Sequence, residues 1–205
     1  MKSYPWEFES KKEVLFYPEK PTTFAGDILE IGPGRGDLLL SLAESFPAKR
    51  FVAVEVGKKR YLKLIPRIER KLLTNILLIH GDARIVLPRY FEDETFERIY
   101  VLFPDPWPKK RHAYKRLLTT EFITLLAKLL KVEGDLIIAS DVRSYIDWLV
   151  ENARRVELLH CVGSPFVDSS VLENYEATFF EAKWREAGRA IYYLWYRRVD
   201  RTADL

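Results

Sequence analysis

Short apolar runs alternate along this chain with stretches of helical period, and that alternation restricts the fold more than any other feature. The runs fall at residues 27–31, 50–55, 76–80, 96–103, 135–140, 156–162 and 190–199. Between them apolar residues recur every three or four positions, as in Leu38, Leu39, Leu42, Ala43 and Phe46, or Phe122, Ile123, Leu126, Leu129 and Leu130. Asp37 and Thr119 or Thr120 stand where helix caps belong, Gly188 where a helix stops, and Pro66 where one bends. Repeated strand–helix alternation predicts an α/β domain: a mostly parallel seven-stranded sheet, helices on both faces, right-handed crossovers. The 205 residues suit one such domain, residues 25–200, and 48% hydrophobic residues suffice for its core. Residues 1–24 carry Pro5, Pro18 and Pro21 and no clear period, so they read as an irregular N-terminal arm whose aromatics (Tyr4, Trp6, Phe8, Phe16, Tyr17) pack on the domain or cover a ligand. The direction of the last strand stays open, because a helix rather than a tight turn precedes it.

In an open parallel sheet, ligands bind outside the carboxyl ends of the strands. Candidate groups fall there in succession. Glu30 and the turn Gly32-Pro33-Gly34-Arg35-Gly36 follow the first strand, Glu55 closes the second, Asp82 follows the third and Asp105 the fourth. The glycines permit close approach to the backbone, although a tight strand-to-helix turn alone would also use them. A carboxylate at Glu55 can accept both hydroxyls of a ribose, in charge-assisted bonds of about 1.5–3 kcal/mol each. Pairing with Lys58 or Lys59 is the plainer alternative. The spacing G-x-G-x-G differs from the dinucleotide pattern G-x-G-x-x-G, and Glu30 beside the turn repels a pyrophosphate but suits a cation. A sulfonium bearing an amino group, S-adenosylmethionine, fits. Spacing and acids together resemble the class I methyltransferases, which implies their Rossmann-like fold. The resemblance also implies that Gly32, Gly34 and Gly36 line the cofactor, Glu55 holds its ribose, Asp82 and the backbone near Ala83 meet its adenine, and Glu30 lies near the methionine end.

The acceptor has to come from residues 103–116, Phe-Pro-Asp-Pro-Trp-Pro-Lys-Lys-Arg-His and then Lys115-Arg116. Net charge is only +3, so this cluster concentrates positive charge locally, as a polyanionic partner requires. Trp107 could stack on a base or pack in the core. Asp105 leaves two chemistries open. Guanine N7 attacks with a lone pair and needs only orientation, which a carboxylate accepting from N1–H and N2–H provides. An exocyclic amine must lose a proton, which needs a base.

Residues 103–112 with Lys115-Arg116, Ser140-Asp141 and Thr178-Phe-Phe-Glu181 resemble, in order, the signature of the bacterial tRNA (guanine-N7-)-methyltransferases. These enzymes methylate guanine 46 in the tRNA variable loop. The resemblance implies that Asp105 is catalytic and adjoins the cofactor. Lys109, Asp141, Thr178, Phe179, Phe180 and Glu181 would hold the target nucleoside, and Arg111, His112, Lys115 and Arg116 would meet RNA. Tyr114 stands where the family usually has a further basic residue, and Pro33 stiffens the glycine turn. Read without the resemblance, Asp141 is a helix cap and Thr178 and Glu181 are surface residues.

Other features exclude more than they assign. The three histidines, His80, His112 and His160, show no metal-ligand spacing with Cys161 or one another, so no metal is expected. Cys161, in an apolar run, reads as a structural thiol. No apolar run approaches a membrane span and residues 1–20 do not resemble a signal peptide, so the chain reads as cytoplasmic, a monomer or homodimer. The lack of Gln, with three Asn and one Met, hints at a heat-adapted source. Rival readings are a methylase of another nucleobase or a protein, a nicotinamide dehydrogenase, which the glycine spacing disfavours, and a non-catalytic RNA-binding module.

Overall fold

A computed structural model describes residues 14–162 and 178–200. The elements are β1 (Leu15–Tyr17), β2 (Ile28–Ile31), α1 (Asp37–Ser45), β3 (Phe51–Glu55), α2 (Lys58–Arg70), β4 (Ile76–His80), α3 (Ala83–Tyr90), β5 (Phe96–Leu102), α4 (Thr120–Leu129), β6 (Leu130–Ser140), α5 (Arg143–Ala153), β7 (Leu159–Cys161), α6 (Phe179–Glu186) and β8 (Tyr192–Arg198). They form one sheet in the order β1-β4-β3-β2-β5-β6-β8-β7. Strands β4, β3, β2, β5 and β6 run parallel, with β2 registered on both β3 and β5. The chain winds outward from β2 through β3 to β4, then returns to the far side of β2 for β5 and β6. Crossovers from β2 and β5 therefore leave in opposite directions, which opens a crevice at their carboxyl ends.

Pleating decides which acids meet. Leu29 and Ile31 of β2, with Val52 and Val54 of β3, pack beneath α3, α4 and α5. Phe51 and Ala53 of β3 pack beneath α1 and α2 with Tyr61, Leu64 and Ile68. Alternation therefore puts Glu30 and Glu55 on the α1–α2 face, inside the core, at 5% and 1% exposure. Apolar neighbours alone would not tolerate two such carboxylates.

The structure departs from the sequence reading at several points. The sheet has an eighth strand: Leu15–Tyr17, within the stretch read as an irregular arm, pairs antiparallel with β4. Three residues are too few to show a period. Strand β6 begins at Leu130 rather than Asp135, because the register shifts between Phe96 and Arg98 and the chain passes a bulge. Gly134 is required in it, since an added Cβ would lie 2.8 Å from the Lys131 carbonyl and 3.0 Å from that of Glu97. Strand β8 is antiparallel to β6. Buried Asp135 fixes that pairing, accepting from Trp195 Nε1 at 2.8 Å, Arg197 Nε at 3.0 Å and Arg98 Nη2 at 3.1 Å. Asp37 does not cap α1. Gly36 holds the cap position in a left-handed conformation. Thr119 does cap α4, and Pro66 is accommodated inside α2. The pattern of the last helix reads from Tyr175 to Glu186; its first three residues and the aromatic residues Tyr4, Trp6 and Phe8 lie outside the described residues. Among the described residues no helix is long and apolar enough to cross a membrane.

Candidate active site

The glycine turn leaves β2 with Gly32, Gly34 and Gly36 all at positive φ (74°, 58° and 77°). A Cβ on Gly32 meets nothing within 4 Å, so the turn faces open space there. A Cβ on Gly36 would sit 2.4 Å from Leu64 Cδ1, so this glycine also lets the turn press onto α2. Pro33 fits the turn, its carbonyl accepting from the Gly36 N–H at 2.7 Å.

Glu55 anchors the turn. Its Oε2 accepts from Gly34 N at 3.2 Å and its Oε1 from Gly57 N at 2.7 Å. Arg60 Nη1 lies 3.7 Å away, so the charge partner is Arg60 rather than Lys58 or Lys59. Each carboxylate oxygen keeps a second lone pair for a ligand. Glu30 is in greater need of a partner. Its Oε2 is buried without a hydrogen-bond partner among the described residues, and its carboxyl is pushed up to about 8. Burial is the main cause, with the nearby charges of Asp37 and Glu55 adding to it and the Leu39 backbone N–H opposing. An orphaned buried carboxylate flanked by two other acids is complementary to a cation, and an ammonium beside a sulfonium meets that demand. The donor set thus fits S-adenosylmethionine. Asp82 caps α3 by accepting from Arg84 N at 2.9 Å, and Arg84 Nη2 holds its other oxygen at 2.6 Å. Ala83 begins α3, whose first N–H groups lack intrahelical partners.

Two cavities meet at Asp105. One, of about 270 Å³, is lined by Glu55, Asp82, Ala83 and Trp107. The other, of about 310 Å³, is lined by Glu30, Asp141, Thr178, Phe180, Trp184 and Arg189. Gly32, Arg60, Phe103, Pro104 and Asp105 line both. Asp105 is exposed on a loop whose flanking residues, Phe103 and Trp107, take positive φ of 50° and 41°. Such conformations cost bulky residues on the order of 1–3 kcal/mol each and persist only where surroundings impose them. Here the Phe103 N–H donates to the Ala139 carbonyl at 2.8 Å. Arg116 donates to the carbonyls of Pro106 at 2.9 Å and Trp107 at 3.3 Å. Its guanidinium lies over the rings of Trp148 and Tyr145, 4.7 and 5.6 Å from their centres. The loop is therefore clamped from α5.

The residues expected at the acceptor divide. Asp141, Thr178 and Phe180 line the second cavity. Lys109 lies outside both linings, exposed at the start of the 3-10 turn Lys110–Lys115. Phe179 sits beneath Arg35, 4.2 Å from ring centre to Cζ, and its N–H donates to Asp37. Glu181 is buried, pairs with Arg185 at 2.9 Å and donates its N–H to Thr178 Oγ1, which caps α6. Asp141 is no helix cap: Val142 holds that position, with its N–H on Ser140 Oγ. Among the basic residues, Arg111 and Lys115 are exposed, while Arg116 faces the loop's own backbone. Trp107 lines the first cavity, between His112 and Lys115. Arg60 and Arg189 were missed by sequence reasoning, because neither lies in a strand-end motif. Among the described residues no cluster of His, Cys, Asp and Glu could hold a metal ion.

Residues 25–194 match the family model described as "Putative methyltransferase". The chain is 33% identical over 164 residues to the tRNA (guanine-N(7)-)-methyltransferase of Chlamydia caviae, covering 80% of this chain and 72% of that protein. It is 43% identical over 121 residues to the protein of the same name from Nitrosomonas eutropha, covering 59% of this chain and 54% of that relative. The chain thus spans about half the length of the second relative. Among solved structures, the 16S rRNA methyltransferase KamB aligns with a TM-score of 0.64 at 16% identity, over 87% of this chain and 90% of that one, a likeness of fold. By the family model and the relatives together, the chain belongs to the tRNA (guanine-N(7)-)-methyltransferase family.

Proposed function

We propose that this chain transfers a methyl group from S-adenosylmethionine to N7 of a guanine in tRNA, guanine 46 of the variable loop. The observation that carries the reading is the position of Asp105, on a clamped loop, lining both cavities. Glu55 takes the ribose hydroxyls, Ala83 the adenine, and Glu30 the ammonium, which gives its orphaned oxygen a partner. S-adenosylmethionine supplies an electrophilic methyl group on a sulfonium.

The chain's own residues supply alignment and charge. Guanine N7 attacks with a lone pair and carries no proton, so no base is needed. Methylation leaves positive charge on the purine ring, and a carboxylate at the boundary between donor and acceptor stabilises that charge where it develops. The edge with N1–H and N2–H lies on the far side of the purine from N7. Asp105, at the boundary, therefore serves the developing charge rather than that edge. Lys109 and Arg111 are exposed outside both cavity linings, and Lys115 is exposed where it lines the first; in this reading all three meet the phosphates of a bound tRNA. A tRNA-modifying enzyme of this kind works in the cytoplasm.

Incubation with unmodified tRNA and methyl-labelled S-adenosylmethionine, followed by digestion to nucleosides, tests the reading. Label in N7-methylguanosine is the expected result. Label confined to another nucleoside, or none in tRNA, overturns it.

A further inference from the structure

The second cavity contains a pair of side chains for which the proposed chemistry has no role yet. Asp141 comes after β6, is 11% exposed at its side chain, and its Oδ2 lies 2.5 Å from Arg189 Nη1. Its Oδ1 has no hydrogen-bond partner among the described residues. The Arg189 guanidinium lies flat enough on Trp184 to bring Cζ within 4.0 Å of the ring centre. One helix end presents both residues. Trp184 belongs to α6, Gly188 turns the chain at φ 72° with nothing within 4 Å of an added Cβ, and the Arg189 N–H donates to the Trp184 carbonyl at 2.9 Å. A glycine placed for conformation alone is a device for aiming the next residue.

An ion pair with a half-exposed arginine contributes little to stability, so this one is poorly explained as a fastener. Its effect on Asp141 is more specific. The guanidinium, donating to Oδ2 at 2.5 Å, fixes the direction of the carboxylate, and a carboxylate accepts hydrogen bonds and does not donate. Asp105 lines both cavities, whereas Asp141 and Arg189 line only the second. A purine that turns N7 toward the donor at Asp105 turns its opposite edge away from it. Guanine presents adjacent donors on that edge, N1–H and the N2 amino group. Adenine presents a lone pair at N1, which a carboxylate oxygen repels.

Resting on the reading that this cavity takes a guanine, we infer that Arg189 is a specificity-determining positioning residue. It acts through Asp141, holding that carboxylate as the acceptor that reads the N1–H and N2 edge of the target base. Trp184 holds Arg189 in turn. Discrimination arises from the mismatch a wrong base creates: one missing donor leaves a carboxylate oxygen desolvated and unpaired.

Inosine lacks only the N2 amino group, so tRNA ligated with inosine at the target position measures that one contact. With the wild-type protein, kcat/KM should fall about tenfold from guanosine to inosine, the size of one charge-assisted hydrogen bond. With Arg189→Ala, guanosine tRNA should react more slowly and the guanosine-to-inosine ratio should shrink toward one. Arg189→Lys, which keeps the charge but not the planar fork, should retain part of the ratio. Asp141→Ala gives the same readout by removing the acceptor itself, and S-adenosylhomocysteine titration confirms that each variant is folded. A ratio near one in the wild type, or one that Arg189→Ala and Asp141→Ala leave unmoved while N7-methylguanosine still forms, overturns this inference alone. Failure of the wild type to form N7-methylguanosine overturns the proposed function with it.

Discussion

Glu30 and Asp105 are carboxylates a few strands apart in sequence order, yet their surroundings give them opposite characters. Glu30 is buried beside Asp37 and Glu55 and holds its proton up to about pH 8. Asp105 stands exposed at the cavity boundary. The raised pKa of Glu30 has consequences for stability and for binding. It lies above the unfolded value of 4.5, so the folded state keeps a proton that the unfolded state has lost. The stabilisation is complete below about pH 4.5 and is lost as pH rises toward about 8, at a slope approaching 1.4 kcal/mol per unit. Denaturant titrations from pH 5 to 8 should show this fall in the wild type and its loss in Glu30→Gln, and parallel curves for the two would contradict it. Binding a cation requires the ionised form, so cofactor binding at pH 7 should release close to one proton, measurable by calorimetry in buffers of different ionisation heat. For Asp105, Ala substitution should lower methyl transfer by about a hundredfold or more while S-adenosylhomocysteine binds within a few-fold of wild type; near-normal turnover would remove it from the chemistry. Both acids were legible in the sequence because strand ends are marked by abrupt changes of polarity. Arg189 was not, since its meaning depends on a turn at Gly188 that brings it back over Trp184 to Asp141.

At the scale of elements, the glycine turn and the loop after β5 are rigid for different reasons. In the turn, Gly36 is pressed on Leu64 while Gly32 faces open space. Gly36→Ala should therefore lower stability through both the left-handed backbone, about 1–2 kcal/mol, and the contact with α2. Gly32→Ala carries only the backbone cost and puts its methyl group where the cofactor approaches, so it should weaken cofactor binding more than its melting temperature falls. Equal effects of the two on binding and melting would show that Gly32 does not face the ligand. The loop after β5 is held by Arg116, which donates to two of its carbonyls and lies over Trp148. The sequence placed Arg116 in a basic cluster, and charge alone could not separate an outward cation from one turned onto carbonyls and an indole. Strand assignments held where runs were long and apolar. They failed at β1, which has three residues, and at the amino end of β6, where a bulge hides the period.

Across the whole molecule, the parallel core, β4-β3-β2-β5-β6, was legible from alternation, because each crossover needs a helix long enough to show its own period. The antiparallel return of β8 was not, because Asp135 gathers its partners Arg98, Trp195 and Arg197 from strands distant in sequence. The crevice at the reversal in strand order gathers the acids, and the cations Lys109 and Arg111 stand exposed outside both cavity linings. Binding of tRNA should consequently weaken with salt, and Lys109→Ala and Arg111→Ala should each reduce the slope of log affinity against log salt by about one. Arg116→Ala should leave the slope unchanged while lowering activity. The claim that donor and acceptor meet across Asp105 at guanine N7 is tested most directly by borohydride reduction and aniline scission of tRNA after reaction with the protein, since this chemistry cuts the chain at N7-methylguanosine. A single new cut at guanine 46 is the predicted result. Methyl label retained in uncut tRNA, or a cut at another position, would contradict it.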